Sequence, residues 1–519
     1  MEIQGVHHKL EPVSERWSNR ILIAALIGIF FLTFFPFRLL SHAKLTNGVS
    51  PFLLGKSLGK SPGDVFDDFL NVLLFIPFGF GLTEKLFERR ISRTTTFFIV
   101  WMGGWVVSYG IEFTQLYIPG RDSGWEDVFT NSSGSALGFL LFVTIGAALL
   151  PLMTRAERAA ESFLTLRRAA VILLIYFSCC YALSARLQSE TRLAAWRPDS
   201  RLLIGNDAVG KPGALWSGEV SKLEIWDRAL PKETAMALTG AGGSSGPAPR
   251  ALAAYELTGE SPFPDEMKLL PDLSWSLDVQ GHGEPSRLTL DNGKSLMLAA
   301  PVPDLVARLR RTDQFTIHVI CKPAEGTGSF GQIVSISPAP TLTNLTMRQE
   351  GTSLAFWFRS ALSARHSQLL WYVPNVFQAG QPRNILYSYD GSSLYLYMDG
   401  KAAAPPYRLG PGAALAHLVR RIKTNELEGY HCIYYAFLFF PAGMALGIAA
   451  RASGADRTPA RVSIVLLLIA PPLLFEFLLM TVSHKAFSPG NLLLSISLSA
   501  LGAVWINADG MPRTRTTAV

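Results

Sequence analysis

Eight stretches of this chain stay apolar for about 18 residues or more, long enough for a helix to cross a ~30 Å hydrocarbon core. They lie at 21–40, 69–86, 94–118, 128–152, 169–187, 430–450, 462–482 and 492–507. Lipid offers no partner to a backbone N–H or C=O, so each stretch is confined to a helix that satisfies its own peptide groups. Residues 188–428, between the fifth and sixth stretches, contain no such run. The pattern predicts a multi-domain protein: an α-helical transmembrane bundle of about eight spans, interrupted by a water-soluble domain. Hydrophobic residues are 49% and charged residues 17% of the chain, against about 25% charged in an average soluble protein. That balance excludes a disordered chain and an ordinary soluble enzyme.

Flanking charges predict the orientation. Lys and Arg total 16 in one alternating set of short loops (Arg16, Arg20, Lys85, Arg89, Arg168, Arg451 and Arg515 among them). The other set holds 5: Lys44, Lys56, Lys60, Arg121 and Lys485. Positive loops stay cytoplasmic, so residues 1–20 and the tail 508–519 are expected in the cytoplasm and residues 188–428 outside. This bias accounts for the net charge of +7; the expected partner is the lipid bilayer, and no nucleic acid is expected. No small-residue cleavage site follows the first run, which reads as an anchor. Four cysteines, three of them in apolar runs, do not make a disulfide framework.

The middle segment reads as short β runs between turns: Phe315–Cys321, Gln332–Ser337, Leu354–Arg359 and Leu394–Met398. In the last, Leu394, Leu396 and Met398 alternate with Tyr395 and Tyr397, the period of a half-buried strand. Residues 240–249 read as a flexible linker. An all-β jelly-roll sandwich is expected over 188–428.

The membrane part also repeats itself. Shifting 71–138 by 364 gives 435–502 without a gap, with 14 of 68 positions identical. Among them are Pro77/Pro441, Gly79/Gly443, Glu112/Glu476 and the run Ser135–Gly138/Ser499–Gly502. The polar residues change: Asn71 becomes Tyr435, Gln115 Leu479, Asp127 Asn491 and Asn131 Ser495. The segment 430–507 is therefore expected to be a degenerate copy of the first half, a scaffold that has lost its function.

That first half concentrates polar residues at one depth. Asp67, Asp68 and Asn71 open the second span, Glu112 and Gln115 close the third, Arg121 follows, and Asp127 and Asn131 open the fourth. Spacings of three and four put each pair on one helix face. An unpaired charge at mid-bilayer costs at least ~2.5–3.5 kcal/mol, so such carboxylates face a bundle interior or a wet cavity. Glu112 and Asp127 are the candidate acid–base groups; Asp68, Asn71, Gln115, Arg121 and Asn131 are candidate substrate contacts, with Arg121 suited to an anion. A hydrogen-bonded packing network is the other reading of the same residues.

The strings Asp68-Phe-Leu-Asn71 to Pro77-Phe-Gly79, Glu112-Phe-Thr-Gln115, and Arg121 to Asp127, Asn131 and Gly134 resemble the VanZ-like membrane family over residues 20–150. That resemblance implies a bacterial envelope protein with a helical domain over 21–152, joined here by a fifth helix at 169–187; it names no reaction. The middle segment resembles the laminin G-like, concanavalin A-like jelly rolls. Trp216-Ser-Gly218 to Trp226-Asp227-Arg228-Ala-Leu230 are similar to that family's closing strands yet come first here, ahead of Ala254-Tyr255-Glu-Leu257 and Phe315-Thr-Ile317, which implies a circularly permuted sandwich. Such domains bind glycans, proteins or calcium, so an envelope glycan or surface protein is an expected partner and calcium an expected ligand. Trp357, Trp371 and Tyr372 are candidate sugar-stacking residues or core. Two phosphate-loop imitations, Gly55–Ser61 and Gly326–Gly331, lack the required spacing or the following helix. Two functions follow: a glycan- or protein-binding envelope protein, or an enzyme acting on a lipid-linked or amphipathic substrate at the outer leaflet.

Overall fold

A computed structural model of the chain describes residues 14–34, 62–118, 123–205, 216–240, 249–275, 289–290, 295–324, 330–338, 342–366, 370–419, 427–453, 458–483 and 487–507. They form two compact units. One comprises residues 1–177, 435–472 and 492–519; the other comprises 178–434 and 473–491.

Before the sandwich come the helices α1 (Ser14–Phe34), α2 (Pro62–Glu88), α3 (Arg93–Gln115), α4 (Trp125–Leu141), α5 (Ala147–Phe163) and α6 (Leu166–Ser189). Within it lie four short ones, α7 (Lys232–Thr239), α8 (Pro303–Thr312), α9 (Ala361–His366) and α10 (Pro411–Val419). After it come α11 (Leu427–Ala452), α12 (Thr458–Ser483) and α13 (Pro489–Asn507). Among the described residues, eight helical stretches are long and apolar enough to span a bilayer, α4 and α5 counting as one stretch, Trp125–Phe163, through a π turn. The expected bundle of about eight apolar helices is present.

Small residues set how closely the first helices pack, as befits helices that lack a hydrophobic drive to associate in lipid. A Cβ on Gly79 of α2 would lie 2.1 Å from the Ser135 carbonyl oxygen of α4, and one on Gly138 of α4 would lie 2.2 Å from the Ile76 carbonyl oxygen. Only a residue without Cβ permits that approach. Ala25 and Ile29 of α1, Phe75 and Phe78 of α2 and Ile111 of α3 fill one shared core. At the ends of α1 and α5, Arg20 donates to Glu157 at 3.1 Å and to the Ile506 carbonyl of α13 at 2.9 Å, and Arg451 of α11 reaches Glu157 at 2.7 Å.

Fifteen strands occur among the described residues. The first half of the domain supplies β1 (Arg201–Ile204), β2 (Gly218–Trp226), β3 (Ala253–Glu256), β4 (Leu273–Trp275), β5 (Thr289–Leu290), β6 (Leu296–Leu298), β7 (Phe315–Pro323) and β8 (Phe330–Ser337). The second supplies β9 (Leu345–Glu350), β10 (Ser353–Phe358), β11 (Leu370–Val373), β12 (Arg383–Tyr389), β13 (Ser393–Met398), β14 (Lys401–Ala402) and β15 (Tyr407–Arg408). One sheet runs β11-β10-β9-β8-β1-β6-β4 and the other β14-β13-β12-β7-β2-β3, with β15 beside β13 and β5 beside β2. The pairings are antiparallel, and the two sheets make a β-sandwich. β2 pairs with β7 from Gly218↔Pro323 to Trp226↔Thr316, and β7 with β12, which pairs with β13. The early strand Leu223-Glu-Ile-Trp226 thus shares one sheet with the strands around Phe315 and Leu396.

Alternation supplies the core between the sheets. Phe315, Ile317, Val319 and Cys321 of β7 are buried, and the Phe315 ring lies 6.2 Å from Phe356 and 5.5 Å from Tyr389. Phe356 stacks on Tyr387 at 4.0 Å. Trp371, paired with Phe356 and 5.8 Å from Tyr387, goes into this interior; Trp357 is buried on the opposite face of β10, whereas Tyr372 stays exposed. Burial pushes the Cys321 thiol up to about 12, leaving it inert.

Candidate functional site

Of the residues singled out in the first membrane half, Asn71, Glu112, Asp127 and Asn131 have hydrogen bonds where α2, α3 and α4 meet. Asn71 Nδ2 donates to Asp127 Oδ1 at 2.8 Å, tying α2 to α4. Asn131 Nδ2 donates to Ser108 Oγ at 2.8 Å, tying α4 to α3. Ser108 Oγ in turn donates to the Asp127 carbonyl at 3.4 Å. Glu112, 2% exposed, accepts the Gly124 backbone N–H on Oε2 at 3.0 Å. Gln115 points elsewhere: its Nε2 donates to the Thr33 carbonyl of α1 at 3.2 Å. Asp68 is half-buried on α2. Arg121 lies outside the described residues, as does the side chain of Asp67.

Ser108 was not singled out from the sequence, though it sits four residues before Glu112 and so on the same helix face. With Asn71 as donor, the Asp127 carboxylate is oriented and half-buried, the state in which a carboxylate can bind a cationic or hydroxyl group or move a proton.

The C-terminal helices carry a buried polar cluster of their own. Glu476 (1% exposed), Asn491 and His431 are buried. His431 Nε2 meets Asn491 Oδ1 at 3.0 Å, Asn491 Nδ2 reaches Glu476 Oε2 at 3.5 Å, and Glu476 Oε1 accepts the Ser488 backbone N–H at 3.2 Å. His431 stands where the first half has Asp67, so polar character at that position is kept while it is lost or changed at four others.

The sandwich holds a second constellation. A cavity of about 370 Å³ is lined by Arg228, Arg250, Lys268 and Arg308, with Asp227 as the one carboxylate and Met267 among the apolar contacts. Successive cations stand 22, 18 and 40 residues apart in the sequence, so no local motif announces them. The four side chains are exposed; Arg228 lies 3.8 Å from Asp227. The loop beneath is fixed by Asp265, 4% exposed. Its carboxylate accepts N–H bonds from Ala254 at 2.9 Å, Met267 at 3.1 Å, Leu269 at 2.8 Å and Leu270 at 2.9 Å. Lys268, at the tip of that loop, adopts φ 57°, a left-handed conformation uncommon for a side-chain-bearing residue and held here by the carboxylate.

On the outer face of the same sheet, His318 Nδ1 meets Glu224 at 2.7 Å and Nε2 meets Asn384 Oδ1 at 2.5 Å. Burial raises the proton affinity of Glu224, but the hydrogen bond and charge of His318, with Lys222, outweigh it and hold the carboxyl below the usual carboxylate range. No three His, Cys, Asp or Glu side chains gather to hold a metal ion among the described residues. Asn344, which opens a glycosylation-like Asn-Leu-Thr, is buried and donates to Arg197 O and Ser200 Oγ.

Residues 22–150 match the VanZ/LLP1 family model. The match runs from Leu22 of α1 through α4 to the first turn of α5, ending at Leu150, and includes every candidate residue of the first membrane half; the sandwich and the C-terminal helices lie beyond it. Comparison with curated proteins and with solved structures found no match. The chain is a membrane protein with a VanZ-like segment and a β-sandwich domain.

Proposed function

We propose that this is a cell-envelope membrane protein whose sandwich lies outside the membrane and binds an anionic saccharide, one bearing carboxylate or phosphate groups. The observation that carries this reading is the cleft with four cationic side chains around about 370 Å³ and one opposing carboxylate. The volume falls in the range of small-ligand sites, about 300–1,000 Å³. Arg forks match carboxylate and phosphate oxygens in pairs, and the Met267, Leu269 and Ala251 walls offer apolar contact to the C–H faces of a sugar ring. The 240–249 segment precedes Arg250, and the orientation expected from the charge count puts that segment outside.

A second reading is favoured by the Asn71–Asp127 pair, an oriented carboxylate at a helix junction: a membrane-embedded enzyme working on a lipid-linked or amphipathic envelope substrate, with Asp127 as its acid or base.

The test uses the full-length protein in nanodiscs, titrated with polygalacturonate, poly(glycerol phosphate) and neutral dextran. Exposed charge pairs contribute roughly 0.2–1 kcal/mol each, so R228A/R250A/R308A should weaken the acidic polymers about ten-fold and flatten their salt dependence. A reporter inserted at 240–249 should register outside. Equal binding of neutral dextran, an unaffected triple variant or a cytoplasmic reporter refutes the reading.

A further inference from the structure

A sequence match of 14 identities in 68 positions between two apolar segments can arise from composition. Contacts that recur at one offset cannot, because both partners of each contact must shift together. A Cβ on Gly79 would lie 2.1 Å from Ser135 O, and one on Gly443 would lie 1.9 Å from Ser499 O. One on Gly138 would meet Ile76 O and Phe80 N, and one on Gly502 meets Phe440 O and Met444 N. Glu112 accepts the Gly124 N–H, and Glu476 accepts the Ser488 N–H. Every residue in the second member of these pairs is 364 beyond its counterpart in the first.

The other polar residues of the two triplets differ. Gln115, Asn71 and Asp127 stand as Leu479, Tyr435 and Asn491, yet the carboxylate-to-amide bond persists. Its role is therefore independent of those companions. Gly124 is the N-cap residue of α4 and has no side chain to cap with; Ser488 precedes α13 and caps it through Oγ, accepting from Asn491 N at 3.3 Å. In both cases the backbone N–H of the residue opening the helix is satisfied by a glutamate from the preceding helix. This is the reciprocal half of a capping box, supplied across the chain, and a carboxylate beside a helix N-terminus is favoured by the helix dipole.

We propose that α11–α13 repeat the arrangement of α2–α4, and that Glu112 and Glu476 are equivalent positioning residues, each holding the turn into its last helix. The Asn71–Asp127 pair, absent from the second triplet, is then what distinguishes the first, and Glu112 is not itself an acid or base. This inference stands independently of the saccharide reading.

The experiment measures hydrogen–deuterium exchange and thermal melting of the full-length protein in detergent for E112Q, E112L, E476Q, E476L and D127N. A Gln oxygen can still accept the N–H, whereas Leu cannot. Each Leu variant should speed exchange of its own turn, 123–127 or 487–491, about ten-fold or more, the scale of one lost buried hydrogen bond. Each Gln variant should stay within about three-fold of the wild type, and D127N should leave both turns protected. If the Leu variants cannot be purified, the Gln pair decides. Faster exchange in E112Q with E476Q unaffected overturns the equivalence, as does an E476L turn that exchanges like the wild type.

Discussion

Replacing Gly79 by Ala is the sharpest probe of the helix packing. The added Cβ would sit 2.1 Å from Ser135 O and 2.8 Å from Ser135 C and Cα, while ordinary contact begins at 3.4 Å. The shortfall, 3.4 minus 2.1, is 1.3 Å, and the obstacle is backbone, so no rotamer change relieves it. α2 and α4 must separate by about that distance. A gap of ~0.5–1 Å already forfeits a quarter to a half of each contact's dispersion energy, and over-packing costs about 1–3 kcal/mol. Alanine's better helix propensity returns at most about 1 kcal/mol, leaving a net loss of about 2 kcal/mol. Gly138 lies on the same seam, 2.2 Å from Ile76 O, and once the helices have parted its substitution costs less. G79A/G138A should therefore fall short of the sum of the single variants by about 1 kcal/mol. Gly110, with nothing within 4 Å of its Cβ position, is the control and should be neutral to slightly stabilising as Ala. SDS titration of the protein in mixed micelles, followed by circular dichroism, measures all four. A G79A variant as stable as wild type, or strict additivity in the double variant, refutes the packing argument.

Two further outcomes are expected. The lowered carboxyl of Glu224 binds protons more weakly folded than unfolded, so its stabilisation is complete above the usual carboxylate range and is lost as pH falls through the lowered value; melting from about pH 7 to pH 3 should show that acid loss, and E224Q should diminish it. R20A removes the bonds to Glu157 and Ile506 O but leaves Glu157 with Arg451 at 2.7 Å, so the loss should be about 1–3 kcal/mol, short of the ~3–5 kcal/mol for stranding a buried charge, and R451A added to R20A should exceed the sum of the single losses in thermal denaturation.

Span positions were readable because bilayer thickness imposes length on sequence; 94–118 and 462–482 became α3 and α12 within a few residues. Strands with clean alternation or apolar runs, such as β7 and β13, were readable for the same local reason. The segment 303–312 was not recognised as helix α8, although Pro303 stands at its start and Leu305, Val306 and Leu309 make a buried stripe; a β-rich context concealed a short amphipathic turn. The site divides likewise. Asn71 and Asp127 were legible as polar residues in apolar runs, which lipid makes conspicuous. The cleft cations were not, since a surface Arg or Lys costs nothing to place and only the fold brings Arg228, Lys268 and Arg308 together. Nor was the separate partner of Gln115 foreseeable, because spacing fixes a helix face and not which neighbour that face meets.

The position of β1 and β2 within their sheets has a consequence for how the domain comes into being. β1 lies between β8 and β6, and β2 between β7 and β3, so the strands made first occupy interior places. Leu203 waits for Ser335, its register partner, while more than a hundred intervening residues are synthesised. β3 and β6, which pair with β2 and β1, are made earlier, but until β8 is made one edge of β1 stays open to pairing with any other edge. Closure of such long loops is entropically slow, so the sandwich should form late and as a whole. A growing chain of this protein thus passes through an interval of exposure set by strand order, in which chaperone cover matters more than final stability does.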